Sequence, residues 1–174
     1  MTGSLSLSEL TLVLGGARSG KSRHAEGLAR ASGLTRRYIA TAEAGDAEMA
    51  ARIARHRADR GGDWTVIEAP LDLGPALAEA ATDEVVLVDC ATLWLTNHLL
   101  AGHDLAAQTT LLQAALAQCA APVIVVSNEV GWSVVPDNAL ARSFADAQGR
   151  LNQALAAQAA RVVLVVAGLP VVLK

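Results

Sequence analysis

The eight residues Gly15-Gly16-Ala17-Arg18-Ser19-Gly20-Lys21-Ser22 follow directly on the apolar run Leu10 to Leu14 and lead into the helical pattern Arg23-His24-Ala25-Glu26-Gly27-Leu28-Ala29. Strand, glycine-rich turn with lysine and serine, then helix is the context in which this spacing builds a phosphate-binding loop. The glycines let successive backbone N–H groups turn inward around an anion, Lys21 reaches the β- and γ-phosphates, and Ser22 offers its hydroxyl to Mg²⁺. The positive end of the helix dipole adds to the same phosphates. The loop therefore commits the chain to binding a nucleoside triphosphate.

Beyond the loop, short β-branched runs alternate with longer Ala-rich helical patterns. The runs are Leu10 to Leu14, Arg37 to Ala40, Thr65 to Glu68, Val85 to Val88, Val123 to Ser127, Val162 to Ala167 and Val171 to Leu173. Alternation of this kind signals a parallel sheet between helices. Val85-Val86-Leu87-Val88 and Val123-Ile124-Val125-Val126 are apolar throughout, as strands covered on both faces must be, and are expected at the centre. Gly168-Leu169-Pro170 is too short for a helical crossover, so the last two runs form an antiparallel hairpin at the edge. Helices are expected at Ala91 to Leu100, Ala76 to Ala81 and Ala154 to Ala160. The expected fold is an α/β P-loop NTPase of the RecA-like kind: a mostly parallel central sheet flanked by helices, with a C-terminal antiparallel edge hairpin. Residues 9–174 are expected to form one nucleotide-binding domain, with residues 1–8 as a frayed extension.

Composition narrows the function classes. Fourteen basic against seventeen acidic side chains leave a net charge of -3, without the positive excess that a general nucleic-acid binder needs. Any anion site must be local. With aromatics at only 3%, the core is built from Val, Leu, Ile and Ala. Cys90 and Cys119 make no disulfide framework, and a reducing cytoplasm is the reading they favour. No apolar run approaches the length of a membrane span, and Met1 to Ser8 lack the pattern of a signal peptide.

A phosphate loop needs a carboxylate at the tip of a neighbouring strand for the Mg²⁺ shell, and Asp89 supplies one after Val85-Val86-Leu87-Val88. The alternative is that Asp89 caps the helix from Ala91 to Leu100. The segment Glu48-Met49-Ala50-Ala51-Arg52-Ile53-Ala54-Arg55-His56-Arg57-Ala58-Asp59-Arg60 reads as a helix with Arg52, His56 and Arg60 on one face. Neighbouring cations favour the neutral imidazole that can attack phosphorus, and the guanidiniums can bind the phosphates displaced. A solvated basic face paired with Glu48 and Asp59 accounts for the same spacing.

Taken together, Gly20-Lys21-Ser22-Arg23-His24-Ala25-Glu26, Tyr38-Ile39-Ala40-Thr41, Glu48-Met49-Ala50-Ala51-Arg52-Ile53 with His56, Trp64, Glu68, Asn128-Glu129-Val130-Gly131 and Val135-Pro136 resemble one family in order along the chain. It is the bifunctional adenosylcobinamide kinase and adenosylcobinamide-phosphate guanylyltransferase family of cobalamin biosynthesis. The resemblance implies that a triphosphate first phosphorylates the aminopropanol hydroxyl of adenosylcobinamide. A histidine then takes GMP from GTP and passes it to the new phosphate.

The resemblance places His56 at the guanylylated position, with Arg55 where the family carries a neighbouring histidine. It implies triphosphate binding by Gly15, Gly16, Ala17, Arg18, Ser19, Gly20, Lys21 and Ser22. A guanine nucleotide would be lined by Ala40, Thr41 and Ala42, by Arg57, Ala58, Asp59 and Arg60, and by Glu68 and Asp89. Catalysis would rest on His56 and Lys21, and Mg²⁺ on Ser22 and Asp89. Asp89 replaces a glutamate seen in some relatives, and Ala42 a serine, which leaves only a backbone contact there. A homotrimer is also implied.

Asn128 and Glu129 follow a central strand and could touch the corrinoid or a neighbouring subunit, or simply make a polar turn. Trp94 and Trp132 offer apolar area, with core packing the commoner use. His24 reads as a helix-face residue. His98 and His103 lack a third metal donor. Competing readings are a monofunctional guanylyltransferase, a nucleotide-gated interaction module, and a plain small-molecule kinase. Gly45 and Gly61-Gly62 bracket the basic helix as hinges for a lid.

Overall fold

Leu10, Leu12 and Leu14 alternate with Val13 along the first strand, and the two sets are buried in different layers. The structure, a computed structural model, describes residues 9–174 except 44, 46 and 133; of 49, 52, 56, 57, 59 and 60 it describes the backbone alone. The expected extension over residues 1–8 lies outside the described residues. In chain order the elements are β1 (Leu10–Gly15), α1 (Lys21–Ala31), β2 (Thr35–Ala40), α2 (Ala47–Arg60), β3 (Trp64–Glu68), α3 (Gly74–Ala78), β4 (Glu84–Asp89), α4 (Ala91–Leu100), α5 (Leu105–Gln118), β5 (Val123–Asn128), α6 (Ala139–Gln158), β6 (Arg161–Val166) and β7 (Leu169–Val172).

The strands form one seven-stranded sheet in the order β3-β2-β4-β5-β1-β6-β7. The first six strands run parallel and β7 pairs antiparallel with β6. The apolar runs placed at the centre by their composition, β4 and β5, are there. Residues pointing to one face meet α3, α4, α5 and α6 in a large core that includes Leu77, Trp94, Leu116 and Leu155. The opposite face meets α1 through Ala25 and Ala29, neither of them exposed at all, and their small side chains let the helix lie close on Val13, Val126 and Val163. With α1 on one face and α3, α4, α5 and α6 on the other, both sides of the central strands are covered, as their unbroken hydrophobicity requires.

Most strand runs differ from the sequence reading by one or two residues at an end, and at three boundaries a specific group intervenes. The hairpin turn is only Ala167-Gly168, both at positive φ (50° and 80°), the geometry of a two-residue turn whose twist matches its strands. Leu169 and Pro170 therefore belong to β7, with Pro170 opposite Val165 on an edge strand. The helix expected over Ala76 to Ala81 is Gly74–Ala78, because the Ala81 N–H donates to Glu84 Oε2 at 2.8 Å. The helix expected to reach Ala160 stops at Gln158, and the Ala160 N–H donates to the Leu10 carbonyl at 2.9 Å to open β6 alongside β1.

Candidate active site

All the parallel strands end in the same direction, so Gly15, Ala40, Glu68, Asp89 and Asn128 line one carboxyl edge, where open α/β sheets bind ligands. Gly15 ends β1 opposite Asn128 of β5. A Cβ on Gly15 would press on Ser19 Oγ and stand 2.7 Å from the Val165 carbonyl oxygen, so only glycine fits. Arg18 (φ 58°) and Gly20 (φ 93°) hold the left-handed conformations that curl the loop.

The loop is closed internally and tied on both sides. The Gly16 carbonyl accepts from the Ser19 N–H at 3.2 Å and from Lys21 Nζ at 3.3 Å, so the lysine spans the turn. On one flank Glu129 N–H donates to the Gly15 carbonyl at 3.1 Å; on the other, Gly168 N–H in the hairpin turn donates to the Ser19 carbonyl at 2.8 Å. Helix α1 starts at Lys21 with no side-chain cap from Gly20. Its leading N–H groups and dipole form the kind of anion site that phosphates occupy. Ser22 is half-buried in that first turn.

Asp89 ends β4, which is separated from β1 by β5 alone. Two inter-strand steps put it about 10 Å across the sheet from the loop strand. Tyr38 hydroxyl donates to Asp89 Oδ2 at 2.9 Å. The alternative role for Asp89 as a helix cap is taken by its neighbour: Cys90 is the N-cap of α4, its Sγ accepting from the Leu93 N–H at 3.5 Å. Burial first, and the Asp89 charge second, push the Cys90 thiol up to about 11, which disfavours its thiolate.

Ala40-Thr41-Ala42 is fastened to this strand end. The fully buried Thr41 Oγ1 donates to the Cys90 carbonyl at 2.7 Å and accepts from the Cys90 N–H at 2.8 Å. Asn97 Nδ2 donates to the Thr41 carbonyl at 2.8 Å and to the Pro70 carbonyl at 2.9 Å. Thr41→Val keeps the shape and removes both hydroxyl bonds, stranding the buried Cys90 N–H, while the Cys90 carbonyl keeps its bond from the Trp94 N–H at 3.1 Å. Its expected effect is about 1–3 kcal/mol of lost stability, read by urea denaturation.

Glu68 is exposed at the end of edge strand β3, four inter-strand steps or roughly 19 Å across the sheet from the loop strand. The basic segment is a helix, α2, joining β2 to β3. Along it Ile53 is half-buried, while Glu48, Ala50, Ala51, Ala54, Arg55 and Ala58 are exposed. The side chains of Arg52, His56, Arg57, Asp59 and Arg60 lie outside the described residues.

The remaining tryptophans and histidines divide between packing and exposure. Trp94 is buried and its indole N–H donates to the Leu71 carbonyl at 2.7 Å, whereas Trp132 is exposed. His98 is buried, with Nδ1 2.8 Å from Nδ1 of His103. His24 is half-buried on α1, and burial, then the charge of Arg161, lower its pKa.

No group of three or more His, Cys, Asp or Glu among the described residues could hold a metal. Asp89 and Ser22 nevertheless fit Mg²⁺, which keeps most of its waters and is bound by one or two protein oxygens plus substrate phosphates. The Tyr38 hydrogen bond fixes the carboxylate in orientation for that use.

Sequence reasoning missed Tyr38 and Thr41 as supports, and a buried network behind Glu129 made of Ser127, Gln148 and Asn152. A signal for the last was present. Gln148 and Asn152 interrupt the inward apolar stripe of α6, where Leu151 and Leu155 are buried.

Comparison with known proteins agrees with this geometry. The family described as cobinamide kinase / cobinamide phosphate guanyltransferase matches residues 11–173. The bifunctional adenosylcobalamin biosynthesis protein CobP of Pseudomonas aeruginosa is 51% identical over 166 residues, covering 94% of this chain and 96% of that protein. Its counterpart CobU of Salmonella typhimurium is 43% identical over 181 residues, covering 95% and 99%. Among solved structures, an ATPase from a bacterial type III secretion system aligns with TM-score 0.58 at 10% identity, over 94% of this chain and 53% of that one. The flagellar accessory protein FlaH of Methanocaldococcus jannaschii aligns with TM-score 0.55 at 12% identity, over 99% and 80%. These two share the fold alone. A phosphate loop pinned between β5 and the hairpin, an acidic strand end two strands away, and a match along nearly the whole length lead to one conclusion: the chain belongs to the cobinamide kinase / cobinamide phosphate guanyltransferase family.

Proposed function

We propose that this chain phosphorylates the aminopropanol hydroxyl of adenosylcobinamide from a nucleoside triphosphate and then attaches GMP from GTP, giving adenosylcobinamide-GDP. In the first step the hydroxyl oxygen bonds to the γ-phosphorus, the bond to the bridging oxygen breaks, and the nucleoside diphosphate and a proton leave. In the second, a neutral His56 nitrogen bonds to the α-phosphorus of GTP and pyrophosphate leaves. The phosphate made in the first step then displaces the imidazole.

The observation that carries this reading is the supported loop from Gly15 to Ser22 in a chain of this family. Backbone N–H groups and Lys21 hold the transferring phosphates, Asp89 and Ser22 are the groups for Mg²⁺, and Ala40 to Ala42 offer a fixed backbone to the guanine nucleotide. Bound there, Mg²⁺ would neutralise charge on the phosphate oxygens. Arg57 and Arg60 are assigned to the nucleotide with Ala58 and Asp59, and Glu68 with them at the far end of the edge.

Homotrimeric assembly and a cytoplasmic location belong to the same reading. The exposed apolar side chains of the edge strand, Leu169, Val171 and Val172, support assembly. No helix among the described residues is long and apolar enough to cross a membrane.

The test is turnover of adenosylcobinamide by the purified chain with Mg²⁺, ATP and GTP, followed by chromatography and mass. Sequential appearance of the phosphate and the GDP ester supports the proposal. A phosphate that never advances leaves a plain kinase, and GMP transfer only to supplied adenosylcobinamide phosphate leaves a monofunctional guanylyltransferase.

A further inference from the structure

The carboxyl end of β5 carries a polar assembly larger than a turn requires. Ser127 and Gln148 are fully buried and Asn152 nearly so, at 5% exposure. Ser127 Oγ donates to Asn152 Oδ1 at 2.6 Å, and Gln148 Nε2 donates to the same oxygen at 2.9 Å. Two donors on one oxygen fix which way the Asn152 amide faces. Its nitrogen must donate, and does so to the Asn128 carbonyl and to Glu129 Oε1, each at 3.0 Å. An apolar core here would hold the same elements together at less desolvation cost, so the specific product of the network is the placement of Glu129.

That placement is beside the phosphate loop. The Glu129 N–H donates to the Gly15 carbonyl, and the preceding Asn128 is the register partner of Gly15. The β4–β5 ladder stops at Asp89–Val126, and the Asn128 N–H turns instead to Thr92 Oγ1 at 2.8 Å. The β4–β5 pairing ends at this point, between Asp89 and the loop strand. Asn128 Oδ1 is buried there with no hydrogen-bond partner among the described residues. Of the carboxylates along this edge, Asp89 lies two strands from the loop strand and Glu68 roughly 19 Å across the sheet, whereas Glu129 immediately follows β5, the strand paired with the loop strand.

We propose that Glu129 is the catalytic base of the kinase step: its carboxylate binds the acceptor hydroxyl and takes its proton as the oxygen bonds to the γ-phosphorus and the bond to the departing nucleoside diphosphate breaks. Asn152 is the positioning residue that aims it. The proton passes from Glu129 to solvent after transfer. This rests on the kinase half of the proposed function.

The experiment compares full-length wild type, Glu129→Gln, Glu129→Asp and Asn152→Asp. Two readouts are taken: phosphorylation of cobinamide by ATP across pH, and uptake of label from α-³²P GTP into protein. The expected result for Glu129→Gln is a fall in kinase kcat of about 10²-fold or more, loss of the acidic limb of the pH–rate profile, and undiminished GTP labelling. Glu129→Asp restores part of the rate, and Asn152→Asp lowers kcat more than it raises KM. Glu129→Gln within about 3-fold of wild type and with the same pH profile would overturn the proposal. So would equal loss of kinase and labelling, which would make Glu129 a support for the nucleotide loop. If Glu129→Gln does not fold, Glu129→Asp decides, because its carboxylate is one methylene short of the acceptor hydroxyl: a kinase kcat within about 3-fold of wild type there overturns the proposal. Wild type that takes up label but phosphorylates nothing overturns the kinase reading itself, a failure visible without any variant.

Discussion

His56→Ala takes up no label from α-³²P GTP, and phosphorylated cobinamide accumulates in its reaction mixture without advancing to the GDP ester. The expected effect is total for guanylyl transfer, because the proposed route runs through a nitrogen–phosphorus bond that alanine cannot form. Wild type under the same conditions carries a label that survives alkali and vanishes in acid, the stability of a phosphoramidate. The measurement is a denaturing gel run after acid and alkali treatment of both proteins. Label on His56→Ala would move the nucleophile elsewhere. Cys90 is a poor substitute, since it is buried and its thiol is pushed up to about 11. His24 is half-buried on α1, and His98 is buried with Nε2 3.1 Å from the Leu71 carbonyl oxygen.

Lys21→Ala should slow both half-reactions, by about 10²- to 10³-fold or more in kcat for phosphoryl transfer. Its Nζ is the cation built into the loop itself, 3.3 Å from the Gly16 carbonyl. Charge developing on the transferring phosphoryl oxygens would lose a fixed partner that water cannot replace with the same orientation. Guanylylation falls as well, because the pyrophosphate end of GTP uses the same loop. This separates the residue from His56, whose loss stops one reaction only. Pre-steady-state labelling together with cobinamide phosphorylation rates checks the point. A Lys21→Ala protein impaired in one reaction alone would show that the two triphosphates occupy separate places.

Much of this architecture could be read from the chain. The seven apolar runs are the seven strands, and the two runs without alternation are the two central strands, because burial on both faces leaves no polar positions to write. The loop from Gly15 to Ser22 was legible because anion binding by backbone N–H groups needs glycine at fixed places. What could not be read is what depends on one group meeting another far along the sequence. Nothing local marks Thr41 as the brace of Cys90, forty-nine positions away. Nothing local to Asp89 says that Cys90 would cap α4 and leave the carboxylate to Tyr38. The Ala81 N–H was lost to a helix reading because Glu84, a strand residue, captures it. Asn152 was visible only as a polar residue on an inward stripe, and its partners on β5 emerge once α6 is packed.

The bond from Gly168 to the Ser19 carbonyl ties the earliest motif of the chain to the hairpin near its end. During synthesis the loop sequence leaves the ribosome some 145 residues before the glycine that steadies it, and β1 has neither neighbour until β5 and β6 arrive. A nascent chain lacking β6 and β7 carries the phosphate-binding sequence without a rigid cradle. Nucleotide retention by arrested ribosome-bound chains should therefore switch on late and abruptly, when the hairpin clears the exit tunnel.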